Sequence, residues 1–348
     1  MKIGLFDHLE RTEDRPLATQ YDERLEFIAA AEEAGFYCLH VAEHHSSPLC
    51  MISAASVWLA AVARATSRIR LGPLVYLLPL YSPLRLAEEI GMLDHLSKGR
   101  LEIGIGRGVS PYEVGYHKID HDESRDIFFD AWECMKAALA NNPFSYKGPH
   151  YEYNEVPLPI RPLQDPHPPF WYGSSNEIGS RWAGEQGLHF ASNGPTAKAK
   201  ENVGFFREAF AGRGAALSPK AGFPGGIAIG TLRHIHVADT DEEARRVAKP
   251  AIEHHAGRLN WLRDLHGQTE FTERNNIHRG VSFEEWEANG MAIVGTPDRV
   301  LGILREQIEE IGINYLISYM FFGDMPLANA KRSLNLFRHE VMPHLEAI

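Results

Sequence analysis

The chain has 348 residues, 44% hydrophobic and 23% charged, enough apolar content for a sizeable core and too much for disorder to be its main state. Its formal net charge of −11 argues against a nucleic-acid backbone or an anionic membrane as main partner, so any bound anion needs a local pocket. Cys38, Cys50 and Cys134 are an odd number without metal-ligand spacing, indicating neither a disulfide framework nor a zinc site.

The opening MKIGLFDHLE lacks the basic-then-apolar pattern of a leader, and no stretch approaches a membrane span. A cytoplasmic protein is expected. In chain order, β-rich runs are predicted at 2–6, 37–42, 68–75, 101–105, 170–172, 188–191, 227–237 and 315–318. Helical patterns separate nearly all of them. A joint recurs at Gly35, Gly99, Gly187 and Gly312, where an amphipathic helix ends at glycine and a β-rich run follows at once. Strand and helix thus alternate from end to end, which predicts an α/β fold, a single (β/α)8 TIM barrel with insertions over residues 1–348. An open doubly wound sheet with a second domain is the competing architecture. Residues 141–169, with FSYKGPHYEY resembling a short hairpin, read as an ordered excursion. Residues 261–290 lack a sustained period and read equally as a candidate lid or a surface loop.

Active residues of such barrels follow the C-terminal ends of strands, which selects four clusters. Glu43, His44 and His45 follow the second strand; of the adjacent imidazoles only one can face the barrel mouth, where it could shuttle protons. The third strand ends in Gly72, Pro73, Leu74, Val75 and Tyr76. In GIGRG, residues 104–108, the glycines would let a planar ligand approach the backbone while Arg107 supplies a charge for phosphate; a glycine-rich bulge with a surface arginine is the plain alternative. No immediate helix follows, so a dinucleotide fingerprint fails. In GSSNEIGS, Ser174, Ser175, Asn176 and Ser180 surround a helix start that could hold phosphate, although an ordinary helix cap reads as well. His234 and His236 share one strand face, the motif behind a metal-dependent hydrolase reading, but no companion ligand set accompanies them. His254, His255 and residues 120–123 read as solvent-facing helix or helix-start positions without a role. The small residues Ala54, Ala55, Ala60, Ala61 and Ala63 suit either packing on the barrel or a homodimer.

Taken together, IGLF at 3–6, EEAGF at 32–36, AEHH at 42–45, LPLYSPLRLAEE at 78–89, LDHLSKGRLEIGIGRG at 93–108, VGTPDRV and FFGDMP resemble the bacterial luciferase-like family of flavin-dependent monooxygenases over nearly the whole chain. The resemblance implies a (β/α)8 barrel binding reduced FMN (FMNH2) delivered by a separate flavin reductase. It implies reaction of the flavin with O2, through a C4a-peroxyflavin, to insert one oxygen atom into a small apolar substrate. It assigns the flavin phosphate to Arg107 with Ser174, Ser175, Asn176, Gly179 and Ser180, and places Gly173 in the cofactor site. A cis peptide is implied at Leu74–Val75 beneath the flavin, and His44 is the implied catalytic histidine. Phe6, Tyr76 and Trp171 are expected to border the ring or the substrate, and no metal is implied. Gly106 stands where light-emitting members carry a reactive cysteine, so light emission is not expected although oxygen chemistry is; the phosphate segment also departs from those members at Ser175 and Asn176. Within the superfamily, an F420-dependent oxidoreductase and a non-catalytic flavin-binding protein are the alternatives.

Overall fold

In the computed structural model, residues 1–267 and 282–347 are described. The first half runs β1 (Lys2–Asp7), α1 (Leu17–Ala34), β2 (Cys38–Val41), α2 (Ala55–Ala65), β3 (Arg70–Pro73), β4 (Tyr76–Leu77), α3 (Pro83–Leu96), β5 (Ile103–Gly106), α4 (Pro111–Tyr116) and α5 (Ser124–Ala140). A hairpin of β6 (Phe144–Lys147) and β7 (Glu152–Val156) follows. The second half runs β8 (Phe170–Ser174), α6 (Glu177–Gln186), β9 (His189–Ser192), α7 (Thr196–Arg213), β10 (Ile229–Val237), α8 (Asp241–His266), α9 (Phe283–Ala288), β11 (Ala292–Gly295), α10 (Pro297–Ile311), β12 (Tyr315–Tyr319) and α11 (Leu327–Leu336).

Ten strand segments form one sheet in the order β3, β2, β1, β12, β10, β9, β8, β5, β4, with β11 beside β10. All its pairings are parallel, and Leu71 bridges back to Leu101 so that β3 meets β5 and the ring closes. β4 continues β3 beyond the Leu74–Val75 peptide, which is cis, and pairs with β5. β11 pairs with the second half of β10, whose first half pairs with β9. Eight barrel positions remain, the number the sequence predicts. The joints behave as expected: Gly35, Gly187 and Gly312 end their helices in the left-handed conformation.

Where the chain departs from expectation, the cause is local. β11 is a four-residue run, AIVG, too short to show a period. α8 extends through His266, so the start of the candidate lid is helix; α9 and the turn after it occupy its end, and 268–281 lie outside the described residues. Ala55 and Ala63 pack under α2 while Ala54 and Ala61 are exposed, so the alanines do not form one stripe. Among the described residues no helix is long and apolar enough to cross a membrane.

Glycines in β3 and β5 set how closely these strands approach. A Cβ on Gly72 would lie 2.0 Å from the Glu102 carbonyl oxygen, one on Gly104 2.3 Å from that of Pro73, and one on Gly106 2.4 Å from Val75 Cγ2. The glycines expected to admit a flat ligand therefore also admit the neighbouring strand.

Candidate active site

A cavity of about 350 Å³ opens at the C-terminal ends of the strands, within the range of small-molecule sites. Phe6, Leu74, Val75, Gly106 and Ile317 provide strand-end surface, and Leu259, Leu262 and Trp286 add an apolar wall from α8 and α9. Two predicted neighbours are absent from the lining. Trp171 is buried and donates its indole N–H to Glu102, packing against His40 and Tyr315 inside the barrel. Tyr76 is also buried, with its hydroxyl 2.9 Å from Ser56 and its ring against Tyr81. The sequence placed Trp171 on a strand and Tyr76 at the end of one but carried no signal for depth or direction.

Arg107, Gly173, Ser174, Ser175 and Asn176 line one side. Burial holds the Arg107 guanidinium below its usual range, and among the described residues no carboxylate pairs with it. Such a cation suits a phosphate dianion. Asn176 caps α6 by accepting the Gly179 N–H at 3.0 Å, and the Ser180 hydroxyl donates to the Asn176 carbonyl at 2.7 Å. Gly179 and Ser180 thus belong to the cap behind the wall, not to the cavity lining.

His44 and His45 lie beyond the end of β2 at Val41, and of the two only His44 lines the cavity. His44 Nδ1 lies 3.1 and 3.3 Å from the two carboxylate oxygens of Glu113, while His45 Nε2 lies 2.9 Å from Glu43, which also accepts the Tyr81 hydroxyl at 2.8 Å. Burial would lower His44, but the Glu113 carboxylate overrides it and raises the imidazole above its ordinary range. Glu113 escapes sequence reasoning although a signal exists. Ser110 and Glu113 have the spacing of a capping box, and the Ser110 hydroxyl does cap α4. The glutamate instead turns toward His44 and the His45 amide.

His255 overturns the solvent-facing expectation. It lines the cavity fully buried, with Nδ1 2.5 Å from Glu10 Oε1. Glu10 also accepts the Tyr319 hydroxyl and the Gly323 N–H at 3.2 Å, and Arg24 lies 3.7 Å away. One carboxylate therefore ties together β1, α8, α1 and the end of β12. His8, Glu10 and His255 have ligand atoms within 4.8 Å of one another, and the Arg24 guanidinium also lies 3.7 Å from Glu10. His234 lines the cavity against Trp286, at 4.9 Å between centroids, whereas burial holds His236 down to about 4. Neither joins that triad, so the H-x-H pair gains no companion ligands among the described residues.

Residues 1–315 match the family described as luciferase-like monooxygenase. The chain belongs to that family. Among relatives of this luciferase-like protein, an uncharacterised Sinorhizobium fredii protein is 38% identical, covering 98% of this chain and 96% of that one. The oxygenase component of a flavin-dependent trigonelline monooxygenase from Acinetobacter baylyi is 27% identical, covering 99% and 95%. Two solved structures share the fold. The oxygenating constituent of 3,6-diketocamphane monooxygenase from Pseudomonas putida, in complex with FMN, has a TM-score of 0.82 at 22% identity, covering 99% and 98%. The coenzyme F420 dependent tetrahydromethanopterin reductase of Methanopyrus kandleri has 0.72 at 18%, covering 99% of each. In this luciferase-like chain, a side chain at Gly106 would collide with Val75.

Proposed function

We propose that this protein is the oxygenase half of a two-component monooxygenase, receiving reduced FMN from a separate reductase and using O2 to oxygenate a small organic substrate with an apolar frame. The observation that carries the reading is the half-buried Arg107, without a carboxylate partner among the described residues, beside Ser174, Ser175 and Asn176 in a cavity that also holds His44 and the apolar strand-end surface of Phe6, Leu74 and Val75. These residues fit the phosphate end of FMN, and Phe6, Leu74, Val75 and Gly106 fit its ring. Reduced FMN supplies the electrons that activate O2.

The chain's own groups do the rest. Arg107 and the α6 start hold the phosphate, with Gly173 leaving the backbone accessible and the Gly179 and Ser180 cap fixing Asn176. Glu113 holds His44 Nδ1, which leaves Nε2 to exchange a proton with substrate. Leu259, Leu262 and Trp286 exclude water, which would otherwise intercept the activated oxygen. Exposed Val57 and Met92, on α2 and α3, support a homodimer. The net charge of −11 suits the cytoplasm, and among the described residues no helix is long and apolar enough to cross a membrane.

The test is to titrate the protein anaerobically with FMNH2 and with reduced F420, then mix the complex with oxygenated buffer. Micromolar or tighter FMNH2 binding, weakened tenfold or more by Arg107→Met, with flavin reoxidation slower than in free solution, is the expected result. Tight binding of F420 alone would replace the reading with hydride transfer.

A further inference from the structure

The cavity carries a second cation that the flavin reading does not use. Arg263, in the last turn of α8, lines the same space as His44 and Glu113. Its Nη1 donates to the Leu259 carbonyl at 2.6 Å, and Asn260 Oδ1 lies 3.5 Å away, so the guanidinium is held in place from one corner. Nε and Nη2 have no acceptor among the described residues, and no described carboxylate forms an ion pair with the group. A guanidinium fixed at one nitrogen presents the remaining pair of donors as a planar fork, a geometry that matches a carboxylate.

The other charges of the cavity are already engaged. Glu113 is bonded to His44, Glu43 to His45 and Tyr81, and Arg258 to Glu13 at 3.2 Å. Arg107 and Arg263 serve different ends. The charges acting on Arg107 are those of Tyr172, Arg125 and Asp122, whereas those acting on Arg263 are Glu113, Tyr112 and Asp264. With phosphate at Arg107, Arg263 is left beside His44, flanked by Leu259 and Leu262. In a chain with a net charge of −11, this cation has no ion-pair partner among the described carboxylates.

We propose that Arg263 binds a carboxylate of the substrate, so that the enzyme oxygenates organic acids whose compact apolar frame lies against Leu259, Leu262 and Trp286. The inference rests on the flavin reading for the position of the reacting end, but not for the contact itself. The fork fixes the acid group on α8 and directs the frame toward His44, which makes Arg263 a specificity residue. Neutral hydrocarbons and ketones leave it unpaired in a partly dry site, and that penalises them.

The test uses calorimetry on the purified full chain, with and without FMN, titrating benzoate, 1-naphthoate and octanoate, each against its own primary amide. At least one acid should bind tenfold or more tighter than its amide. Arg263→Met should abolish that preference, Arg263→Lys should retain part of it, and both should leave FMN affinity within twofold. Arg107→Met should do the opposite, weakening FMN and preserving the preference. Equal binding of acid and amide in all three pairs, or a preference that survives Arg263→Met, overturns the proposal. So does an FMN affinity that falls with Arg263→Met and not with Arg107→Met, because Arg263 would then be the phosphate anchor. A protein that shows the Arg263-dependent preference but binds no FMN would support this site and remove the flavin reading. Circular dichroism and the melting curve of Arg263→Lys distinguish loss of the contact from loss of the fold.

Discussion

His44 and His255 each present an imidazole to the cavity and each hold a glutamate on Nδ1, yet their surroundings differ sharply. The His44 side chain keeps 24% of its exposure, and its carboxylate comes from the short helix α4. His255 keeps 2% and Glu10 none, and Glu10 additionally serves Tyr319, Gly323 and Arg24. Both glutamates stay below their ordinary range despite burial, Glu113 through His44 and Glu10 chiefly through His255. The lesson is that the same pair of groups performs different work according to how many partners share it. A carboxylate spread over several elements fixes the fold, whereas one devoted mainly to a single imidazole sets the protonation of that imidazole.

The largest effect expected from this contrast is on turnover. If His44 exchanges the proton, His44→Ala lowers kcat by about 10²–10⁴, the usual contribution of a positioned acid or base. Flavin affinity and unfolding midpoint should hardly change. The contrast breaks if turnover in the variant is within threefold of the wild type, measured with a substrate found by oxygen-uptake screening.

A change of comparable free energy, but in stability, is expected at the other pair. Glu10→Gln keeps the shape and removes the charge that Arg24 and His255 share, and breaking a buried pair typically costs about 3–5 kcal/mol. Asp7, 3.5 Å from Arg24, moderates the loss. Burial holds Asp7 up at about 6, with Arg24 opposing and Glu10 reinforcing the shift, so Asp7 should titrate lower in the variant. Urea unfolding and carboxyl NMR read the two effects separately. A variant as stable as the wild type would mean that Glu10 is not the tie between elements.

What the sequence made legible follows from which features are local. The helix-to-glycine-to-strand joints lie within a few residues, so the barrel and its eight positions can be read from chain order. Arg107, His44 and the Ser174–Asn176 wall follow strand ends directly, where the architecture itself points to function. Glu10, by contrast, meets His255 across 245 positions, and no pattern along the chain announces that contact. Trp171 sits on a correctly predicted strand, but its depth in the barrel depends on Glu102 and Tyr315. Glu113 lies between: its capping-box spacing is visible, but the turn of its side chain toward His44 is tertiary.

The smallest predicted effect is also the one that separates the two pairs most cleanly. Glu113→Gln leaves His44 with a hydrogen-bond acceptor but removes the charge that opposes burial, so the imidazole titrates lower. If His44 acts as an acid, the loss of activity at rising pH should begin correspondingly earlier, and a His44 Cε1 NMR signal should shift with it. Stability follows from the same directions. A raised His44 contributes stability that is present below its ordinary value of about 6.5 and is lost as pH rises through its folded value. A lowered Glu113 contributes stability above about 4.3 that is lost as pH falls through its own folded value. The pair is therefore strongest between those limits, and Glu113→Gln should cost about 1–2 kcal/mol near pH 5.5 and less by pH 8. A cost independent of pH would assign Glu113 to the fold, alongside Glu10, and an unmoved His44 titration would show that the carboxylate does not set the proton on the imidazole.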